Sequence, residues 1–274
     1  MQSPRGLVLP VAFVGMTSPP FPVPAEPDLD RLLPPDVDLS GPGLRHEAAR
    51  PVWLGIVWSR LGRADLAWQV WDRVGAPAVQ SWLAAERGRV VREFGLHAEA
   101  ERIEWRALAS VEDPGDRAML QVSLVADAVG RGDLDTMTRR LEAAREAVAG
   151  LPDGPRAARQ RLRLGWVTME VAMWTGGEVP VPAVDAPDLA YGSAFHRAKQ
   201  ALFAGIATGS LEVLDVALAE DVPVLTWAVH LARADLGEAD AIDAARTAWA
   251  QLRFPPPYER AIRATPTAHR LQVM

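Results

Sequence analysis

From Leu44 to Arg253 apolar residues recur at three- and four-residue spacing, and alternating strand-like stretches are scarce. That period matches one face of an α-helix, so this region reads as almost entirely helical. Prolines and glycines cut the pattern in a regular alternation. Pro51, Pro77, Pro114, Pro155, Pro187 and Pro223 stand at or near the start of apolar-periodic runs, where a missing N–H costs a helix little. Gly62, Gly95, Gly132, Gly176, Gly209 and Gly237 each follow such a run, where a left-handed residue can end a helix. The punctuation predicts helices over 51–61, 65–74, 77–93, 97–110, 114–130, 133–149, 155–174, 188–207, 210–220, 223–236 and 238–252.

Each cycle of proline, helix, glycine and helix is a hairpin of about 35 residues, the length of the helical-repeat families. One hairpin buries little by itself, and stacked neighbours complete its apolar face. The fourth cycle departs from the rule. After Gly176-Gly177 the stretch EVPVPAVDAP leaves no room for a second helix, which makes it a surface loop or a hinge. The chain thus divides into a proline-rich extended arm (1–43), helical hairpins (44–176), an irregular loop or hinge (177–187), further hairpins (188–254) and a tail (255–274).

The glycine-centred pattern resembles the tetratricopeptide repeat. That family sets a small residue within its first helix, a glycine in the turn, and alanines along the second helix where helices approach closely. Gly55, Gly62 and Ala67 stand at these places in the first unit, with Trp58 and Trp71 as bulky residues. Gly88, Gly95, Ala100 and Ala107 stand there in the second unit, closed by Pro114. Gly132 and Ala144 match in the third, although Met137 replaces the expected small residue. Gly209 follows the same punctuation, and the last unit keeps Gly237 and Ala241. The resemblance implies an all-α, right-handed α-solenoid of about six hairpins. It also implies a function in binding protein or peptide partners on a concave face, without catalysis.

Composition narrows the chemistry further. The 274 residues carry a net charge of −6, which disfavours nucleic-acid binding through bulk charge. There is no cysteine, so disulfides, thiolate metal sites and cysteine nucleophiles are excluded. Lys199 is the only lysine beside 28 arginines. The ten tryptophans read as core filling between helices or as the lining of an aromatic groove.

The five histidines show no pair at the spacing of a helical metal site, and no phosphate-binding loop, dinucleotide fingerprint or serine-hydrolase elbow appears. No metal and no cofactor is expected. Ser193 and His196 could share a helix face, but no acid partner accompanies them. A helical enzyme would show a deep pocket with converging polar groups, and the linear sequence presents no such set.

Seven arginines (139, 140, 145, 156, 159, 161 and 163) lie within 139–163 against Glu142, Glu146 and Asp153. They read as a solvated helix face. The alternative is an anchor for an acidic peptide or a phosphate. The expected partner contacts are Trp58, Arg89, Arg92, Arg156, Arg159 and Arg163 on the concave face. A regulatory or nucleic-acid-associated role for the arginine cluster is the competing function.

Residues 6–25 lack charge but are interrupted by Pro10, Pro19, Pro20, Pro22 and Pro24, which argues against a membrane span. The expectation is a cytoplasmic protein with no membrane partner, or an exported one if residues 1–25 act as a signal. Translation could begin at Met1 or at Met16. The arm at 17–42 is expected to cover the groove.

Overall fold

A computed structural model describes residues 31–35 and 44–271. The expectations for a signal at 1–25, a start at Met16 and most of the arm lie outside the described residues. Among those described, thirteen bounded α-helices are joined by turns, two 3-10 turns and one packed loop, and there is no strand.

The helices are α1 (Leu44–Arg60), α2 (Ala64–Trp71), α3 (Gln80–Glu93), α4 (His97–Leu108), α5 (Pro114–Gly130), α6 (Leu134–Ala149), α7 (Pro155–Thr175), α8 (Ala194–Thr208), α9 (Leu211–Ala219), α10 (Pro223–Asp235), α11 (Ala241–Gln251), α12 (Glu259–Arg263) and α13 (Pro266–Leu271). The 3-10 turns cover Pro77–Val79 and Pro187–Tyr191. Pairs α1–α2, α3–α4, α5–α6, α8–α9 and α10–α11 pack as successive hairpins.

All six punctuating glycines have positive φ, between +64° and +93°. At Gly62 (φ +77°) a side chain would be strained by the backbone, and its Cβ would lie 2.8 Å from Leu252 Cδ2. Asp113 caps α5 by accepting from the Asp116 N–H at 2.9 Å, with Pro114 in the first turn. Asp113→Ala should cost about 1 kcal/mol, read as a lower urea midpoint at an unchanged slope. Three boundaries differ from the proline rule. Pro77 opens a 3-10 turn, so that α3 begins only at Gln80. Pro51 lies inside α1, where it removes one rung of the hydrogen-bond ladder. Pro187 opens a 3-10 turn, and α8 begins only at Ala194.

The first two hairpins share a packing device. A Cβ added at Gly55 would lie 2.1 Å from Trp71 Nε1, and one at Gly88 would lie 2.2 Å from Glu104 Oε1. In each case the second helix lays a large side chain on a bare glycine of the first.

The segment 177–186 has no helix, yet it and the turn after it are pinned. The Pro187–Tyr191 turn packs along α7, and Val179, Ala186 and Leu189 cover the Leu162–Trp166–Met169–Phe203 cluster. Arg161 pairs with both oxygens of Asp188 at 2.9 and 2.8 Å, and Gln200 Nε2 donates to Ala183 O at 2.7 Å.

The main core joins the two ends of the array. Val52, Ile56 and Trp71 share one buried cluster with Phe94, Trp249, Ile262 and Leu271. Arg253 N–H donates to Gly62 O at 2.8 Å, and Asp65 N–H donates to Arg253 O at 3.3 Å. The tail is therefore part of the core: α12 and α13 bury Ile262 and Leu271 almost completely. From the described piece of the arm, Leu32 and Leu33 are buried in the same cluster, and Arg31 donates to Glu220 O at 2.9 Å and Asp221 O at 2.8 Å.

Candidate functional site: a cation-lined cavity

A cavity of about 610 Å³ opens on the face made by the first helix of each hairpin. Its walls come from α1, α3, α5, α7, α8 and α10. The second helices contribute only His97, at the start of α4, and Pro34 of the arm reaches the rim. A volume of this size suits a small organic ligand or a short peptide segment.

One part of the lining is apolar. Trp53 and Trp82 meet edge to face with centroids 4.5 Å apart. Trp227 packs the same way on Trp249 at 5.0 Å, and Trp166 stacks on Phe203 at 6.0 Å. Four of the ten tryptophans (53, 82, 166 and 227) thus line the cavity, while Trp68, Trp71 and Trp249 fill core.

The α3 wall balances its own charge. Arg89 lies between Glu86 at 2.8 Å and Glu93 at 2.7 Å and donates to Ser59 Oγ at 2.6 Å. Burial opposes the Arg89 charge, but Glu93 and Glu86 outweigh it and hold the guanidinium cationic. Arg92 bridges Asp127, at 2.7 Å, and Glu104. One guanidinium cannot neutralise two buried carboxylates. Burial first, with the Asp127 charge and a hydrogen bond that the protonated Glu104 donates to it, drives Glu104 well above the usual carboxylate range against the pull of Arg92.

A second set of cations in the lining forms no direct ion pair among the described residues. Arg60, Arg163 and Lys199 line the cavity, and none has a carboxylate of the described residues within ion-pair distance. Arg60 donates to Leu32 O and to Ser193 Oγ, the latter at 3.0 Å. Arg163 donates to Ser123 Oγ at 2.7 Å and Gln160 Oε1 at 3.1 Å. Burial, reinforced by Arg89, lowers Arg60 to about 9. Burial lowers Arg163 to about 10, with repulsion from Arg92 and Arg89 working against the pull of Glu86 and Glu104. Both remain cations at neutral pH.

His196 stands among these groups. Burial, then Arg60, Arg159, Arg163 and Lys199, push it well below the usual histidine range, so it is neutral. The Ser193 N–H donates to its Nδ1 at 3.1 Å, and the Ser193 hydroxyl lies 3.0 Å from the same atom. Ser193 is the N-cap residue of α8 and is buried. This contact serves the start of a helix.

Five of the six expected contact residues come together. Arg89 and Arg92 form the α3 wall, and Arg156, Arg159 and Arg163 lie along α7. Trp58 is elsewhere, half-buried against the main core, because its face of α1 turns toward the neighbouring core residues. Ala67 and Ala100 are fully buried, as small residues at close helix contacts should be.

The 139–163 arginines do not act as one surface. Arg140 pairs with Glu101, Arg156 with Asp113 at 2.8 Å and with Asp116, and Arg161 with Asp188. Arg139 and Arg145 are exposed, whereas Arg159 and Arg163 face the cavity.

Sequence reasoning missed Arg60, Glu86, Glu93, Glu170 and Lys199. The deep pocket with converging polar groups is a product of folding that no linear motif announces. A usable signal was present on α7, where Arg156, Arg159, Arg163, Trp166 and Glu170 follow helical spacing while Arg161 and Gly165 fall on another face.

Among the described residues no group of three or more histidine and carboxylate side chains could hold a metal ion, and no helix is long and apolar enough to cross a membrane. In comparisons with known proteins, the chain matches no family model, no curated protein and no solved structure.

Proposed function

We propose that the chain is a cytoplasmic, non-enzymatic binding module of tetratricopeptide-like type, a right-handed α-solenoid whose concave face takes a carboxylate-bearing ligand with an apolar body. The observation that carries this reading is the set Arg60, Arg163 and Lys199. Three cations, Arg60 buried and Arg163 and Lys199 half-buried, face one cavity without a carboxylate of the described residues within ion-pair distance, in a chain that is acidic overall. A carboxylate placed there would relieve their mutual repulsion, and Trp53, Trp82 and Trp227 would cover the apolar part. An acidic segment of a partner protein is the source that a concave helical-repeat face favours. The competing nucleic-acid reading is weakened because Arg140, Arg156 and Arg161 are already paired with acids.

Titration of tryptophan fluorescence with two probe sets tests the reading. One set is a hexapeptide library alternating glutamate with leucine or phenylalanine; the other is a series of aromatic monocarboxylates. Saturable binding of the peptides identifies a partner segment, and binding of the small acids alone identifies a small-molecule ligand. A hydrogen bond to a charged group is worth about 1.5–3 kcal/mol, so Arg163→Gln should weaken binding roughly tenfold to a hundredfold while the circular-dichroism melt keeps its shape. If neither set binds and a single-stranded oligonucleotide does, with steep salt dependence, the competing reading replaces this one.

A further inference from the structure

Lys199 is the one lysine of a chain that carries all its other basic side chains as arginine. In such a chain a position that requires only a positive charge is served by arginine, as 28 others are. A lysine facing the cavity offers something arginine does not, a primary amine that can lose its proton and attack a carbon.

Lys199 lies on α8. The walls around its amine are apolar and act on its proton in opposite directions: burial favours the loss, while the faces of Trp166 (Nζ to ring centroid 5.3 Å), Phe195 (5.7 Å) and Phe203 (6.0 Å) attract the ammonium. Among the described residues no carboxylate pairs with it and no hydrogen bond holds it. The charged and titratable groups around it are Arg89, Arg92 and Glu93 from α3, Glu170 from α7 and His196 from α8. Burial lowers its ammonium below the usual lysine range; Glu93 and Glu170 oppose the shift, and Arg92 and Arg89 reinforce it. Lysines desolvated beside apolar walls and other cations are the activated ones.

We propose that Lys199 is a covalent capture site, its amine forming a reversible imine with the aldehyde or ketone of a carboxylate ligand held in the cavity. The inference rests on the carboxylate-binding reading above. The neutral Nζ adds its lone pair to the carbonyl carbon, and the carbonyl oxygen takes up a proton to give a carbinolamine. The C–O bond then breaks, the oxygen leaves as water, and an iminium remains. Glu170 lines the same cavity. Burial raises it above the usual carboxylate range, so in its protonated form it can supply the proton that departs with water. Overall, amine, carbonyl and carboxylic acid become iminium, water and carboxylate. Arg163 and Arg60 would hold the ligand's carboxylate, and an oxo acid with an aromatic ring would use both walls.

Phenylpyruvate is the probe, with phenyllactate as the matching acid that has no carbonyl. The full chain is incubated at pH 7 with phenylpyruvate and cyanoborohydride, which reduces an imine to a stable secondary amine, and labelled peptides are quantified by mass spectrometry. At that pH an ordinary lysine is neutral in about one molecule in 2,500, and an α-amino group in about one in ten. An unactivated Lys199 would therefore label more slowly than the chain's own amino terminus. The expected result is the reverse order by at least tenfold, protection by phenyllactate, and no label at this position in Lys199→Arg, which keeps the charge. Label at Lys199 no faster than at the amino terminus, while phenyllactate still raises the melting temperature, overturns the capture site and leaves the binding reading standing. No melting shift with either acid and no preferential label overturns the capture site and, with it, the small-acid form of the binding reading, while the peptide titration decides the partner-segment form.

Discussion

Replacing Arg92 with methionine is expected to destabilise the protein by about 3–5 kcal/mol, the cost of leaving a buried charge without its partner. Arg92 is the only cation bonded to Asp127 and Glu104 among the described contacts, and both acid side chains are wholly inaccessible. For a chain of this length that loss lowers the melting temperature on the order of 10 °C. The triad, not the side-chain volume, is the cause, so Arg92→Met should cost far less when Glu104→Gln and Asp127→Asn are already present.

Glu104→Gln alone should cost far less than Arg92→Met, because burial and the Asp127 charge shift Glu104 toward its neutral form, which an amide resembles. The pH dependence supplies the sign. A carboxyl whose pKa is raised on folding contributes stability that is complete below its unfolded value, near 4.3, and is lost as pH rises through the elevated native value. Glutamine does not titrate. The variant should therefore gain on the wild type in chemical denaturation as pH rises above the ordinary carboxylate value, and a variant that falls behind as pH rises would refute the raised carboxyl of Glu104.

The second large effect is expected at the contact between Gly55 and Trp71. Trp71 is fully buried and its Nε1 donates to Val52 O at 3.1 Å. Trp71→Ala should cost about 3–5 kcal/mol through lost burial and the cavity left behind. Gly55→Ala is the more discriminating change. In an ordinary helix interior it would stabilise by about 1 kcal/mol. Here the added methyl meets a rigid indole at 2.1 Å, so the sign should invert to a loss of about 1–3 kcal/mol. In Trp71→Ala the same methyl has room, and the double variant should be more stable than the sum of the two single changes implies. Strict additivity would show that the indole does not set the glycine.

These contacts show which parts of the molecule were legible from residues alone. Turn glycines such as Gly62 and Gly132 impose their conformation locally, so the helix order and most boundaries follow from punctuation. Gly55 and Gly88 looked alike in the sequence and receive side chains in the same way, although one partner is an indole and the other a carboxyl. The cavity is a different matter. Whether Arg163 faces water or a groove depends on the neighbouring helix, and an arginine run has the same spacing in either case. Arg156, Arg161 and Arg163 stand within two turns and meet three different environments. The return of the tail to the first hairpin was also hidden, because Phe254, Ile262 and Leu271 find their partners far away along the chain.

That return changes how the molecule can come apart. An open stack of hairpins frays from its ends, since each unit leans only on its neighbours. Here Arg253 is bonded to the turn at Gly62, and the last hairpin leans on the first. Among the described hairpins there is no free end at which unravelling costs one interface instead of two. Contacts between distant parts of the chain must form together, which slows folding but makes it cooperative. A further hairpin inserted between these would not simply lengthen the molecule; it would have to break the closure, and the cavity inside would open with it.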